Sequence, residues 1–195
     1  MIDARSLGGL PRYSAAKGGG LRCYPEPRDL AAVRLVVLHQ WGAHASLRPM
    51  PGEDRDGAAV RRARSTPYHL SVFASGPVVW AWPASVCSWA SNRFNRASVA
   101  IGVGGRFPAL ERDRSEFHSR ADDFAEGLTE ALAAIALESP GLTIVTHRQA
   151  SRHRLADPGE ALARIAVRVA RDLGLSVDLA RVVGTGAPCP ASWWP

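Results

Sequence analysis

Short apolar runs alternate along the chain with polar or glycine-rich segments, a pattern that is typical of buried strands joined by loops. Residues 33–40 (VRLVVLHQ), 98–105 (SVAIGVGG) and 142–147 (LTIVTH) are such runs. Two further strand-forming runs, PYHLSVFA and PVVWAWP, flank the turn dipeptide Ser75-Gly76. The pattern therefore predicts three buried strands and one β-hairpin.

In two other segments, 120–138 and 162–173, apolar residues recur at helical spacing. The periodic residues are Phe124, Leu128, Leu132 and Ile135 in the first segment, and Leu162, Ile165, Val169 and Leu173 in the second. Acidic residues near the start of the first segment favour a helix because they compensate the helix dipole. Pro140-Gly141 and Gly174 mark the two ends. Two amphipathic helices are therefore predicted.

The remaining segments complete the predicted domain organisation. Residues 1–22 are rich in glycine and small polar residues, which predicts a flexible N-terminal arm before one domain over residues 23–195. Residues 46–66 are rich in proline, glycine and charge, and predict at most a short helix. Strands and helices mix without strict alternation. The sequence thus predicts a single α/β domain with a central mixed β-sheet flanked by α-helices.

Length and composition narrow the class of protein. A chain of 195 residues is long enough for one domain with a proper core. It has no run near the ~20 apolar residues of a membrane span and no apolar core of a signal peptide. We therefore expect no membrane partner and a cytoplasmic location as synthesised. Its three cysteines share no metal-type spacing, which fits a reducing compartment. We also expect a monomer.

The basic residues are almost all arginine. The formal net charge is +6, and Lys17 is the only lysine among 24 basic residues. A net positive charge suits nucleic acid, an anionic membrane or an acidic polymer equally well. The one basic cluster, RRAR at residues 61–64, has no interleaved aromatic residues that can stack on bases. We therefore expect no nucleic-acid partner.

Three residues have the chemistry of a metal site. His39 and His147 end predicted buried strands, and Asp157 follows the second histidine by ten residues. Two imidazoles and a carboxylate suit zinc with an open fourth position for water. Zinc lowers the pKa of its bound water to about 7 and polarises a carbonyl, which together permit amide hydrolysis. The simpler interpretation of each histidine is a buried imidazole that is hydrogen-bonded to the backbone.

Asp157 also has a second interpretation, as a helix cap. The run Asp157-Pro158-Gly159-Glu160 fits an N-cap residue, a proline at the first helical position and a glutamate placed for a capping box. Capping and metal binding are compatible, because a carboxylate has two oxygens. The pattern leaves both roles open.

Four segments, in the same order, resemble the type-2 N-acetylmuramoyl-L-alanine amidases, a superfamily that includes the peptidoglycan recognition proteins. The segments are VVLHQW, TPYHLSVFASGPVVWAWP, SWASNRFNRASVAIGVGG and THRQASRHRLADPGEAL, and the resemblance covers about residues 30–173. The last segment is the most specific, because it resembles the family's Gly-His-Arg…Lys-x-Asp-Pro-Gly stretch with the His-to-Asp spacing kept.

The resemblance implies a zinc amidase that acts on peptidoglycan or muropeptides. The bond cleaved in that family joins the lactyl group of N-acetylmuramic acid to L-alanine of the stem peptide. The residues that the resemblance assigns are the Zn²⁺ ligands His39, His147 and Asp157, the active-site tyrosine Tyr68, and the substrate-contacting residues Trp89, Asn92 and Asn95. Asp157 is thereby expected both to bind zinc and to cap its helix.

The chain departs from the family pattern at three places, the first of which is Ser88-Trp89-Ala90, where many members have Trp-His-Ala. Leu155 stands where the family often has a lysine that acts on the oxyanion, and the adjacent Arg154 is the candidate catalytic substitute. Gly102 stands near the position of a glutamate base that bacterial members carry. The alternative to an active enzyme is therefore a non-catalytic, zinc-carrying peptidoglycan-binding domain. His69 follows Tyr68 in a predicted strand, so we expect its side chain to point to the opposite face and into the core.

Overall fold

A computed structural model describes residues 1–8, 13–14, 21–22, 28–41, 47, 49–73, 77–91, 94–105, 107 and 118–193, with the backbone alone at 13–14, 21–22 and 118–123. The strands are β1 (Ile2–Asp3), β2 (Tyr13–Ser14), β3 (Leu21–Arg22), β4 (Leu35–Gln40), β5 (Leu70–Val72), β6 (Val78–Trp80), β7 (Ser98–Val103), β8 (Thr143–Thr146) and β9 (Ser176–Val177). The helices are α1 (Arg55–Arg64), α2 (His118–Glu138), α3 (His147–Ala150) and α4 (Glu160–Asp172). Among these helices, none is both long enough and apolar enough to cross a membrane.

Seven of the described strands form one mixed sheet in the order β1-β6-β5-β7-β4-β8-β9, and β2 pairs separately with β3. The three predicted buried strands correspond to β4, β7 and β8, and β4 lies between the other two, parallel to both. The predicted hairpin is present as the antiparallel pair β5 and β6. The prediction of one α/β domain with a central mixed sheet is therefore confirmed.

Alternation along β4 divides its side chains between the two faces of the sheet. Val36 and Leu38 face α2 and α4 and belong to the largest apolar cluster. Leu35 and Val37 face the other way, in a smaller cluster with Val145. Four apolar residues recur at helical spacing along α2. All four are buried, as the sequence predicts: Phe124, Leu128, Leu132 and Ile135.

Helix α1 covers part of the face opposite α2 and α4. Its Ala59 and Ala63 are fully buried and pack against Phe73, Val79 and Trp82. Small residues allow this ten-residue helix to lie close to the sheet. The short helix that the sequence permits in this region is therefore present, and it forms one wall beside the carboxyl end of β4.

Residues 1–8 are not the loose arm that their composition predicts. They contain β1, which pairs with β6 at the edge of the sheet. Ala4 is 2% exposed, and Arg5 forms an ion pair with Glu138 at the end of α2. The prediction is wrong here because composition does not show whether a short segment finds a free strand edge with which to pair.

Candidate metal centre

The carboxyl ends of β4 and β8 bring the two candidate histidines together. The strands are parallel neighbours in which Leu38 lies opposite Thr146, so the next residue of each lies at the same level. These residues are His39, within β4, and His147, which begins α3 just beyond β8. Both side chains are buried, and their ring centroids are 4.4 Å apart.

Asp157 completes the group from the loop between α3 and α4. Its Oδ2 lies 2.9 Å from Nδ1 of His147 and 3.8 Å from Nδ1 of His39. Its Oδ1 accepts a hydrogen bond of 2.8 Å from the backbone N–H of Gln40. The ligand atoms of the two histidines and the aspartate all lie within 4.8 Å of one another. The fold thus brings the three predicted ligands to one place.

These side chains fit a zinc ion in both chemistry and spacing. Two imidazole nitrogens and one carboxylate oxygen are donors that catalytic zinc sites use, and three protein ligands leave a fourth position open. Ligands of a tetrahedral zinc lie roughly 3.3 Å apart. The separations of 2.9 Å and 3.8 Å around Asp157 bracket that value. In the part of the chain that the structure describes, no other cluster of this kind is found.

Asp157 does not cap α4, contrary to the expectation from its sequence context. The helix begins at Glu160, its N-cap residue is Gly159, and no side chain caps it. The carboxylate of Asp157 faces β4 and the histidines instead, while Glu160 accepts a hydrogen bond from Arg164. The prediction of a cap is wrong because an Asp-Pro-Gly pattern does not show in which direction the carboxylate points.

Burial and charge determine the protonation of this group. Burial lowers the pKa of His39 to about 4, an effect that His147 reinforces and Asp157 opposes. His39 is therefore neutral around pH 7, as a metal ligand must be. Burial by itself raises the pKa of Asp157, but the hydrogen bond with His147 and the nearby imidazole of His39 outweigh it and hold the pKa well below its usual range. The centre thus combines an anionic oxygen with a neutral imidazole.

Tyr68 lies beside this centre, just before β5. Its ring centroid is 5.0 Å from that of His39, and the ring stacks on Trp41 at 5.8 Å with 15° between the planes. Burial raises the pKa of the phenol, and the negative charge of Asp157 adds to the effect. The hydroxyl therefore stays protonated and can donate a hydrogen bond near the candidate metal centre.

Gly102 permits the close approach of two aromatic rings to the sheet. A Cβ at this position would lie 2.0 Å from Nε1 of Trp41 and 2.2 Å from Cδ2 of Tyr68. Gly102 lies next to His39 in the pairing of β7 with β4. The rings therefore occupy the space into which a longer side chain at residue 102 would extend.

Residues 29–160 match the family model described as N-acetylmuramoyl-L-alanine amidase. The chain belongs to this family. Among curated proteins, none matches the chain.

Solved structures with the same fold include both amidases and recognition proteins. The amidase LysC from Clostridium intestinale aligns with a TM-score of 0.52 and 14% identity, over 78% of this chain and 95% of that one. Drosophila peptidoglycan recognition protein SD aligns with a TM-score of 0.52 and 17% identity over 90% of each chain. Drosophila PGRP-LB aligns with a TM-score of 0.50 and 14% identity, over 80% of this chain and 86% of that one. At these identities the likeness shows the fold.

Arg154 and Leu155 lie on the loop that carries Asp157, and Leu155 stands where the amidase family often has a lysine. The positive charge of Arg154 lowers the pKa of His39 and of Tyr68, although in both it is the smallest of the contributions. Leu155 is 44% exposed. The charge of Arg154 therefore acts on the centre through space, whereas the apolar side chain of Leu155 brings neither charge nor a hydrogen-bond donor.

The predicted substrate-contacting residues differ in their surroundings. Trp89 is partly exposed, and Asn92 lies outside the described residues. Asn95 is 3% exposed, and its Oδ1 accepts a hydrogen bond of 2.6 Å from the backbone N–H of Ser91. Asn95 therefore stabilises its own loop, and its contact with substrate stays a prediction.

Two residues near the centre carry no signal in the sequence. Oγ of Ser91 lies 3.4 Å from Nε2 of His39, whose Nδ1 is directed at Asp157. Arg28 is buried and donates hydrogen bonds to three backbone carbonyls between residues 84 and 98, in the segment that contains Ser91. A lone serine and a lone arginine match no motif, so only their positions in the fold reveal them.

His69 faces the core, as alternation from Tyr68 predicts. Its Nδ1 accepts a hydrogen bond of 3.0 Å from the backbone N–H of Ala100, and its Nε2 donates one of 2.8 Å to the carbonyl of Val86. Burial lowers its pKa to about 3, and the charge of Arg28 adds to the effect. His69 is therefore a neutral histidine of the core.

We expect the metal-free protein to lose stability between about pH 6.5 and about pH 3 in part through His69. The imidazole binds a proton near pH 6.5 in the unfolded chain, but its folded pKa is lowered to about 3. Acid therefore favours the unfolded state in this window, by about 1.4 kcal/mol per pH unit. Denaturant unfolding at several pH values should show that the free energy of unfolding changes less steeply with pH in His69→Gln than in wild type. Equal slopes in the two proteins would contradict this.

Proposed function

We propose that the chain is a zinc-dependent amidase that hydrolyses the bond between the lactyl group of N-acetylmuramic acid and L-alanine in peptidoglycan or muropeptides. The observation that carries the proposal is the convergence of His39, His147 and Asp157 at one edge of the sheet, in a chain of the amidase family. The net charge of +6 also suits a substrate whose stem peptides carry carboxylates.

The residues of the centre have different roles in this reaction. His39, His147 and Asp157 would hold Zn²⁺, which when bound supplies a Lewis acid and acidifies water. Tyr68 remains protonated because burial raises its pKa. Its hydroxyl donates a hydrogen bond to the lactyl carbonyl oxygen as negative charge develops there.

Arg154 provides a second positive charge for the same oxygen. Its charge already acts on His39 and Tyr68. A guanidinium has a long, forked head that can reach the oxyanion from the position beside Leu155. Arg154 would thus replace the lysine that the amidase family often has.

The alternative function is a zinc-carrying domain that binds peptidoglycan without turnover. Leu155 favours it, because an exposed apolar side chain does not stabilise an oxyanion. Gly102 favours it as well, because packed rings fill the space beside it and no carboxylate stands there to accept a proton. Both functions use the same metal centre, so zinc binding alone does not separate them.

Release of free stem peptide from muropeptides, measured beside binding to insoluble cell wall, separates the two functions. We expect the zinc-loaded wild type to release peptide and Arg154→Ala to lose activity by ~10²-fold, as for one oxyanion donor. Leu155→Lys should raise activity, because it adds a cation near the oxyanion. Arg152→Ala is the matched control, since it removes the same charge from an exposed position of the same loop.

Two outcomes would change the assignment. Wall binding without peptide release by the zinc-loaded wild type, together with activity gained in Leu155→Lys, would favour the binding domain. Turnover that Arg154→Ala leaves unchanged would keep the enzyme and remove Arg154 from its mechanism.

A further inference from the structure

Gln40, the last residue of β4, joins two loops to the end of this central strand. Its Nε2 donates a hydrogen bond of 2.8 Å to the carbonyl of Ala156. Its Oε1 accepts hydrogen bonds from the backbone N–H groups of Phe107 at 2.8 Å and Gly159 at 3.2 Å. Ala156 and Gly159 stand on either side of Asp157 in the sequence. The side chain of Gln40 thus holds both flanks of the carboxylate ligand.

The main chain of Gln40 adds a hydrogen bond to Asp157 itself. Its N–H lies 2.8 Å from Oδ1, while Oδ2 is directed at His147 and His39. One carboxylate oxygen is therefore held by the protein and the other is left for a metal ion. Outer hydrogen bonds of this kind orient ligands and adjust the affinity of metal sites.

Gln40 and Arg148 hold the loop that carries Asp157 from two sides. The loop connects α3 to α4, outside regular secondary structure. No side chain caps the start of α4, and the N–H of its N-cap residue Gly159 bonds to Gln40 instead. Arg148 holds the loop from another side, through the carbonyls of Leu155 and Asp157. Gln40 thus connects the loop to the central strand β4.

We propose that Gln40 is a positioning residue of the metal centre, whose side-chain amide holds residues 156–159 so that Asp157 presents one oxygen to the ion. This role rests on the proposed function in that it takes zinc as the metal. Gln40 acts through Asp157 and is itself no ligand. Its side chain lies on the face of β4 opposite His39, because neighbouring residues of a strand alternate.

Zinc affinity of the full chain, measured by competition with a chromophoric chelator, tests this role. Gln40→Met keeps the length of the side chain but removes its three hydrogen bonds, so we expect a ~10–100-fold loss of affinity. Gln40→Glu keeps an acceptor oxygen for the two backbone N–H groups but loses the donor to Ala156, so its affinity should lie between those of wild type and Gln40→Met. The hydrogen bonds from Arg148 remain in both variants and keep the loop folded.

A control variant and a second measurement separate the positioning role of Gln40 from an effect on overall stability. Ile135→Val removes a methyl group beside Val36, in a small cavity towards the other end of the sheet. It should lower stability and leave zinc affinity unchanged. In the metal-free protein, amide exchange at Gly159 should be faster in Gln40→Met than in wild type or Ile135→Val, because the N–H has lost its acceptor.

The outcomes distinguish this role from the proposed function. Equal zinc affinity in wild type and Gln40→Met would overturn the positioning role and leave the zinc centre in place. Equal loss of affinity in Gln40→Met and Ile135→Val would also overturn it, because stability would then explain both. A wild-type protein that binds no zinc would overturn the metal centre first, and the role of Gln40 with it.

Discussion

The Asp157→Asn protein is expected to keep its fold and to lose affinity for zinc. The loss should exceed the ~10–100-fold decrease that follows removal of a residue hydrogen-bonded to a metal ligand. Asparagine has the same shape and keeps an oxygen for the N–H of Gln40. It removes, however, the one carboxylate among the three predicted ligands. Helix α4 should be unaffected, because its N-cap residue is Gly159. Zinc content after dialysis and peptide release should fall together.

Asp172→Asn is the matched control for this charge change. Asp172 is the last residue of α4 and so lies roughly 18 Å along the helix from Glu160. Its variant should retain zinc, whereas His39→Ala and His147→Ala should lose it as Asp157→Asn does. Stoichiometric zinc in all three ligand variants would disprove the assignment.

The meeting of His39 and His147 is the part of the site that sequence patterns predict best. Each histidine stands at the end of an apolar run, and apolar runs of that length form buried strands. Carboxyl ends of parallel neighbours lie at one edge of a sheet, so such residues can converge. The patterns do not show that β4 and β8 are neighbours, because strand order depends on packing between distant segments.

Side-chain directions in loops were the least predictable feature. Asp157 and Asn95 are both polar loop residues. The carboxylate of Asp157 faces the histidines, whereas the amide of Asn95 is hydrogen-bonded within its own loop. The Asp-Pro-Gly pattern fits both a helix cap and a metal ligand. Tertiary partners decide between them, here the N–H of Gln40 at the end of a distant strand.

Two of the departures from the family pattern, at Gly102 and at Leu155, have different physical causes. At Gly102 the missing side chain is explained by packing, because Trp41 and Tyr68 fill the space beside the sheet. At Leu155 the side chain is partly exposed, and nothing in its packing requires an apolar residue. A substitution at Leu155 is therefore easy to accommodate, whereas a side chain at Gly102 would displace the tyrosine that we assign to the oxyanion.

Tyr68 is positioned by its ring and is proposed to act through its hydroxyl, and these two contributions can be separated. The ring packs against Trp41 and His39, contacts that phenylalanine preserves. Only the hydroxyl can donate a hydrogen bond to developing charge, and burial raises the pKa of the phenol so that it keeps its proton at neutral pH.

We expect Tyr68→Phe to lower kcat by ~10²-fold or more, with KM nearly unchanged, because the hydrogen bond forms mainly in the transition state. Zinc content should equal that of wild type, since the tyrosine is not one of the three clustered ligands. Tyr13→Phe, in the separate β2–β3 pair, is the control and should leave kcat unchanged. Equal kcat in Tyr68→Phe and wild type would make Tyr68 a packing residue, whereas a parallel loss of zinc would show that it supports the metal centre instead of the oxyanion.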